Sequence, residues 1–318
     1  MKIIEKEQVR KVLQPKVCID LMKEALIGLE EGRYAQPPRL ITIMPNTAKF
    51  GFMPAYVGDY FGAKVISAYA PNMGTKYPSH IGYVMLFESE HSTVAGMIEA
   101  GSITEIRTGA VSAAATDALA RKDAHALALI GAGAQARSHL AAIREIRDIT
   151  SVTVYDLFPA AAERFKADME AKYQIPVTVC ATVAEAVKEA DIICTVTPSK
   201  EPLLFASMVK PGTHINAVGT FSPTTREASS DLIASSKLYA DQVEAMKRES
   251  GEYLIPLKEG LITEEHIVGS VGELLAGRVE GRTNDEEITL FDALGLAIED
   301  VACAKFVYEA YGDCADEI

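Results

Sequence analysis

Hydrophobic residues recur along the chain with changing periods, and each period predicts a different kind of element. Within residues 1–33 they stand three and four apart, as in VCIDLMKEALIGLEEGR, which predicts a helix ending near Gly32. Between residues 37 and 100, short runs such as RLITIMP and IGYVMLFES are broken by Pro, Gly and Asn. Such a sequence is typical of an antiparallel or mixed sheet. The small-residue run SITEIRTGAVSAAATDALA then predicts a closely packed helix.

From residue 124 onward the pattern alternates between strand and helix. ALALI, SVTVYD and VTVC are each followed by a helix-like segment, and DIICTVTP, THINAVGT and ITLFDALGL continue the series. This alternation predicts a parallel sheet with crossover helices. We therefore predict an α/β fold with a Rossmann-type doubly wound parallel sheet over 121–292. A second, α+β domain covers 1–120 and is completed by a C-terminal helix within 293–318.

Composition narrows the classes of function. The 318 residues are 48% hydrophobic and carry a formal net charge of −13, which argues against nucleic acid or an anionic membrane as a partner. No apolar run approaches the ~18–20 residues needed to span a bilayer. The start, MKIIEKEQVRKVL, lacks a signal-peptide core. Five cysteines without a CxxC pair and six scattered histidines favour a reduced, cytoplasmic protein without a metal site.

A glycine-rich turn, GAGAQA, lies between the apolar run ALALI and a helix-like segment. Gly131 permits a tight turn, Gly133 lets a pyrophosphate approach the backbone, and Ala136 lets helix and strand pack closely. The free N–H groups of the helix N-terminus favour phosphate. A turn that binds no nucleotide is the alternative.

Two further sets of residues extend this predicted cofactor site. Asp156 ends the next strand-like run, 25 residues after Gly131, where an acidic residue binds the ribose hydroxyls. Because a carboxylate repels the extra phosphate of NADP, we favour NAD(H) over NADP(H). The ends of the later strands should lie at the same carboxyl edge of the sheet. They add the candidates Thr195, Thr197, Val218 and Gly219.

Three cationic residues of the N-terminal part stand in apolar surroundings. Arg39 follows Pro-Pro in QPPRLITI, Lys64 lies within GAKVISAY, and Arg107 begins a helix of small residues. Arginine binds a carboxylate through two parallel hydrogen bonds, so the set suits a small anionic substrate. Solvated edge residues or ion pairs are the alternatives.

The chain resembles the ornithine cyclodeaminase/mu-crystallin family. QPPR, GAKVISAYAPN, TEIRTGAVSAAATDALA, GAGAQA, VYD, INAVGT and TLFDALGLAIEDVACAKFVYE carry the resemblance, in this order, over nearly the whole chain. The resemblance implies a Rossmann domain plus a substrate domain built from the N-terminal part and the last helix. It also implies a homodimer joined through the substrate domain.

The resemblance also implies roles for single residues. Arg39 and Lys64 match residues that contact the substrate carboxylate, and Arg107 matches an arginine between substrate and cofactor. The positions that match cofactor contacts are Ser79, Thr108, Ala134, Gln135, Asp156 and Thr197.

One departure from the family pattern bears on the reaction. Ornithine cyclodeaminases carry an Asp in a G-x-D-x-P-G-K segment, where this chain has Phe221 and lacks the Gly-Lys. Ornithine cyclodeaminases also have an acidic residue before a Met-Pro pair, where this chain has Gly51 and Phe52. We therefore predict an NAD(P)H-dependent oxidoreductase that acts on a C–N bond of a small 2-imino or amino acid, such as an imine or ketimine reductase or alanine dehydrogenase. Phe221 is then an aromatic wall of the substrate pocket. An ornithine cyclodeaminase-type lyase and a non-catalytic, mu-crystallin-like binding protein are the alternatives.

Overall fold

The computed structural model describes residues 1–72 and 75–312. The chain divides into two compact units, the first formed by Met1–Arg107 and the segment from Gly295 on, the second by Thr108–Leu294. Among the described residues, no helix has both the length and the apolar character required to cross a bilayer.

The first unit is built on a mixed sheet. Its strands are β1 (Lys2–Ile4), β2 (Tyr34–Ala35), β3 (Leu40–Ile43), β4 (Lys49–Val57), β5 (Tyr60–Ala68), β6 (His80–Glu88) and β7 (Val94–Glu99). Its helices are α1 (Lys6–Val12), α2 (Pro15–Glu30) and the first part of α3 (Ala100–Leu119), with a 3-10 turn at Ala70–Asn72. The strand order is β1-β7-β6-β5-β4-β2, and β3 also pairs with β4. Only the pairing of β1 with β7 is parallel among these described strands.

The two faces of this sheet differ because side chains alternate along a strand. Met53, Ala55 and Val57 of β4 are buried, and this face packs against the last helix of the chain. In register with Met53 lie Lys64 of β5 and then Val84 of β6, so Lys64 points to the covered face. The opposite face carries the exposed side chains of Phe50, Phe52 and Tyr56.

The second unit contains a parallel sheet of eight strands. They are β8 (Ala126–Ile130), β9 (Ser151–Tyr155), β10 (Val177–Val179), β11 (Ile192–Thr195), β12 (His214–Ala217), β13 (Lys237–Ala240), β14 (Ile267–Ser270) and β15 (Thr289–Asp292). The helices are α4 (Ala134–Ile143), α5 (Pro159–Tyr173), α6 (Val183–Val187), α7 (Ser230–Ala234), α8 (Val243–Glu249), α9 (Gly251–Lys258) and α10 (Val271–Leu275), with 3-10 turns at Ala206–Met208 and Glu264–His266. The order β10-β9-β8-β11-β12-β15-β13-β14 reverses direction beside β8, which confirms the predicted doubly wound sheet.

The chain returns to the first unit with α11 (Ala297–Gly312), which packs against α2 and against β4 to β7. This is the predicted C-terminal helix. The rest of the range predicted for it, residues 313–318, lies outside the described residues.

Three features differ from the sequence prediction. The predicted helical region 1–33 begins with a strand, β1, because the backbone of Lys2–Ile4 pairs with β7. Between 221 and 288, where the pattern predicted no element, the structure has α7 to α10, β13 and β14. The first unit ends at Arg107 rather than at residue 120. Ser112 and Thr116, in the second part of α3, hydrogen-bond within the second unit to His139 and Asn216, at 2.9 and 3.0 Å.

Candidate active site

The glycine-rich turn of the second unit connects β8 to α4. Gly131 has φ +105, and a Cβ atom placed on it would lie 2.9 Å from the carbonyl oxygen of Val196. Both the backbone conformation and the close approach of Val196, the residue after β11, therefore require glycine at this position. The amide of Gly131 donates to the carbonyl of Tyr155 at 2.8 Å, which anchors the turn to β9.

The N-terminus of α4 fits the phosphates of a dinucleotide. Its N-cap residue, Gly133, provides no side-chain hydrogen bond to the first turn, and a Cβ there would meet nothing within 4 Å. Gly133 and Ala134 are exposed, whereas Gln135 buries an Oε1 atom that has no hydrogen-bond partner among the described residues. Open space and free N–H groups suit an anionic ligand, whereas the Gln135 oxygen is an acceptor and suits a ligand hydroxyl.

Asp156 is fixed beside this turn. Its Oδ2 accepts a hydrogen bond from the amide of Ala132, and its Oδ1 accepts one from Phe158, both at 2.8 Å. The carboxylate therefore has a defined position at the end of β9, where a ribose hydroxyl could donate to a remaining lone pair.

A buried glutamate, which the sequence analysis did not identify, connects the ends of β11 and β12. Glu227 accepts hydrogen bonds from the amide and the hydroxyl of Thr197, at 2.8 and 2.6 Å, and from the amide of Gly219 at 2.8 Å. The amide of Val218 also donates to the carbonyl of Thr195 at 3.0 Å. The structure thus brings the four predicted loop residues together at the carboxyl edge of the sheet. Burial raises the pKa of Glu227, and the hydrogen bonds from Thr197 oppose that rise.

The first unit assembles two of the predicted cations with two carboxylates of α11. Nζ of Lys64 lies 2.6 Å from Oδ2 of Asp300, and Nε of Arg107 lies 3.2 Å from Oδ1 of the same carboxylate. Nη1 of Arg107 lies 2.6 Å from Oε2 of Glu299. We call these four residues the buried charge cluster, since none has more than 6% of its side chain exposed. Neither acid was predicted from the sequence, although two adjacent acids in a helix of small and apolar residues are an unusual signal.

Close packing and electrostatics both act on this cluster. Gly295 has φ +80 and lies directly against the Arg107 guanidinium, where a Cβ would be 2.9 Å from Nη1. Burial lowers the pKa of Lys64, Asp300 opposes this, and Arg107 adds to the lowering. Burial also acts to lower the pKa of Arg107, but Asp300 and Glu299 together raise it. Arg107 therefore stays charged, whereas Lys64 is a candidate to exchange its proton.

Arg39 lies at intermediate exposure between β2 and β3. Gln36, three residues earlier, accepts a hydrogen bond from the amide of Ile298 at 3.1 Å, so this segment contacts the start of α11 beside Glu299. Ser79 precedes β6, and its hydroxyl pairs with Nδ1 of His80 at 3.1 Å.

Thr108 and Phe221 belong to the second unit. Thr108 is buried on α3, one helical turn before Ser112 and thus on the face that contacts α4 through His139. Phe221 follows β12 and is 51% exposed.

Comparison with known proteins gives consistent matches over the whole chain. The sequence profile of the ornithine cyclodeaminase/mu-crystallin family matches residues 2–314. An alanine dehydrogenase of Archaeoglobus fulgidus is 32% identical over 307 residues, covering 96% of this chain and 94% of that protein. The structure of Thermococcus litoralis Delta(1)-pyrroline-2-carboxylate reductase in complex with NADH and L-proline has a TM-score of 0.95 and 36% identity, with coverage of 99% and 98%. An archaeal alanine dehydrogenase dimer with bound NAD has a TM-score of 0.93 and 32% identity, with coverage of 99% and 97%.

Proposed function

Because the chain belongs to the ornithine cyclodeaminase/mu-crystallin family, we propose that it is an NAD(H)-dependent oxidoreductase acting on a carbon–nitrogen bond. In this proposal it reduces the C=N bond of a small 2-imino acid to an amino acid, or runs the reverse oxidation. The reductase and the alanine dehydrogenases that it resembles support this class of reaction.

The observation that carries the proposal is the buried Lys64–Arg107 pair of the first unit. The fixed guanidinium of Arg107, together with Arg39, binds the substrate carboxylate and so orients the imine carbon. Reduction adds a hydride to that carbon and a proton to the nitrogen. Lys64 supplies the proton, because its buried ammonium is more acidic than an exposed one.

A bound nicotinamide cofactor would supply the hydride. The second unit would hold this cofactor through the amides at the start of α4, near Ala134 and Gln135, and through Asp156 at the ribose. The Asp156 carboxylate, fixed by the amide of Ala132, supports a preference for NAD(H) over NADP(H), since a carboxylate beside the ribose would repel an extra 2′-phosphate.

Charge and shape indicate the kind of substrate. The acids of the buried charge cluster, Glu299 and Asp300, already pair with its cations and are not offered to a substrate ammonium group. Because both acids are already paired, the preferred substrate side chain is short and uncharged or closes a small ring. Ornithine, with a second ammonium group, is disfavoured.

We further propose that the chain forms a homodimer through the exposed face of the first unit's sheet. Leu40, Phe50, Phe52, Tyr56 and Ile81 lie on this face, each at least 40% exposed, and we call it the outer apolar face. Contiguous exposed apolar groups of this kind mark interaction surfaces. The dimeric state of the archaeal alanine dehydrogenase supports the same assembly.

The test is NADH oxidation by the pure protein with a panel of imines. It comprises pyrroline-2-carboxylate, piperideine-2-carboxylate, and pyruvate with ammonia or methylamine. We expect turnover on at least one imine and a loss of about 10²–10⁴-fold in kcat in Lys64→Met. Ornithine with ammonia detection runs in parallel. Ammonia release from ornithine without imine turnover would identify a cyclodeaminase, and NADH binding without any turnover would identify a binding protein.

A further inference from the structure

The two acids of the buried charge cluster have different roles, because Asp300 contacts both cations whereas Glu299 pairs with Arg107. Asp300 bridges Lys64 and Arg107 with its two oxygens, at 2.6 and 3.2 Å. The ion pair of Glu299 is with Arg107, at 2.6 Å. Lys64 therefore forms its ion pair with Asp300, whereas Arg107 forms ion pairs with both acids.

Asp300 is placed where an anion is stable in spite of complete burial. It lies in the first turn of α11, a 16-residue helix, where the helix dipole favours negative charge. Two cations contact it directly, which compensates for the loss of hydration. Its carboxylate thus places a negative charge 2.6 Å from the Lys64 ammonium group.

Lys64 depends on that charge, because the other groups near it do not stabilise an ammonium ion equally well. On α3 it faces Arg107, which repels it, and the hydroxyl of Thr104 at 3.5 Å. On α11 it faces Asp300 and, with a smaller effect, Glu299. From β6, His80 is close enough that Lys64 helps to lower the pKa of that histidine, after burial and Lys49. A buried lysine in such surroundings loses its proton unless an anion is adjacent.

We propose that Asp300 is a positioning residue for the reduction, which keeps Lys64 as an ammonium ion and aligns it with the Arg107 guanidinium. This inference rests on the proposed function, in which the Lys64 proton moves to the imine nitrogen and leaves a neutral amine beside Asp300. Solvent protonates that amine before the next turnover, and the Asp300 carboxylate again stabilises the ammonium ion.

The test compares Asp300→Asn with Glu299→Gln, a matched charge removal from the neighbouring acid. Protein labelled with ¹³C at lysine Cε is titrated by NMR, and the Lys64 signal is assigned by its absence in Lys64→Met. In Asp300→Asn the midpoint of Lys64 should fall by about one to three pH units, and in Glu299→Gln by less. The alkaline limb of the kcat/KM profile for the imine should move by the same amount.

A third variant, Asp300→Glu, keeps the negative charge while changing its reach. In Asp300→Glu the alkaline limb of the kcat/KM profile should stay at the wild-type pH, even where kcat falls. Cooperative thermal unfolding and NADH fluorescence identify which variants are folded, and if Asp300→Asn does not fold, Asp300→Glu and Glu299→Gln carry the comparison. A wild-type Lys64 midpoint retained in Asp300→Asn, or equal shifts in the Asn and Gln variants, would overturn the inference. The NMR shift without any imine turnover by the wild type would instead refute the proposed function, while the pairing of Asp300 with Lys64 stands.

Discussion

The second unit has a buried acid whose protonation should make its stability depend on pH. The pKa of Asp292 is raised from 3.8 to about 7, mainly by burial, which the hydrogen bond from Ser250 opposes and neighbouring Glu227 reinforces. The hydroxyl of Ser250 donates to Oδ2, whereas Oδ1 has no hydrogen-bond partner among the described residues. The pKa of a second buried acid, Glu252, is raised as well, mainly by burial and then by the charge of Asp292. Little compensates for a negative charge at Asp292, so the folded state keeps its proton.

The sign of the effect follows from linkage. In the unfolded chain Asp292 ionises above about pH 4, but in the folded protein it stays protonated up to about pH 7. The contribution of protonated Asp292 to the free energy of unfolding is therefore fully present below about pH 4 and is lost as pH rises through about 7. A difference of about three pH units corresponds to a loss of about 4 kcal/mol in the free energy of unfolding, as an upper limit.

The perturbation is Asp292→Asn, which keeps nearly the same shape and an acceptor for Ser250 but cannot ionise. We expect urea unfolding, followed by circular dichroism, to give a smaller decrease in stability between about pH 4.5 and pH 7.5 than in the wild type. The difference between the two decreases should be about 2–4 kcal/mol. Ser235→Ala, which removes a hydroxyl elsewhere in this unit, should keep the wild-type decrease. Equal pH dependence in Asp292→Asn and the wild type would refute the reasoning.

Three other predictions concern the cofactor and the assembly. Asp156→Ser should raise the use of NADPH relative to NADH, measured as the ratio of the two kcat/KM values; an unchanged ratio would remove Asp156 from the ribose site. Glu227→Gln replaces one acceptor oxygen of a carboxylate that receives three hydrogen bonds from Thr197 and Gly219. It should weaken NADH binding about tenfold in a fluorescence titration, since such bonds contribute about 1.5–3 kcal/mol. Phe52→Asp should convert a dimer into a monomer in sedimentation velocity, whereas Leu261→Asp, which changes an exposed apolar residue of the second unit, should not; a wild-type monomer would contradict the proposed dimer.

The parts of the fold that could be predicted are those in which local pattern and final environment agree. The strand β8 is apolar and buried from Leu127 to Ile130, and Gly131 follows it directly, so the turn could be located without knowledge of its neighbours. The parallel sheet followed from the alternation of such runs with helices, and comparison with known structures confirms this fold class.

The elements that were missed are short and are stabilised by distant partners. The strand β1 has three residues, and its first partner, Gly96, is far along the chain. The strands β13 and β14 have four residues each, too few for a clear period, and a buried position between neighbours defines them. The sequence pattern could not indicate Glu227 either, because Thr197 and Gly219 become its neighbours only when β11 and β12 pair.

The buried charge cluster shows the same limit for chemistry. Lys64 and Arg107 could be predicted because cations in apolar segments are unusual, but the local sequence did not indicate the anions that make their burial possible. Asp300 lies 193 residues from Arg107 and comes close only because α11 packs across β4 to β7. The helix that covers the apolar face of the sheet therefore also carries the charges that neutralise the two cations. Packing and charge are consequently coupled in this unit, because any displacement of α11 exposes apolar residues and separates Lys64 from Asp300 at the same time.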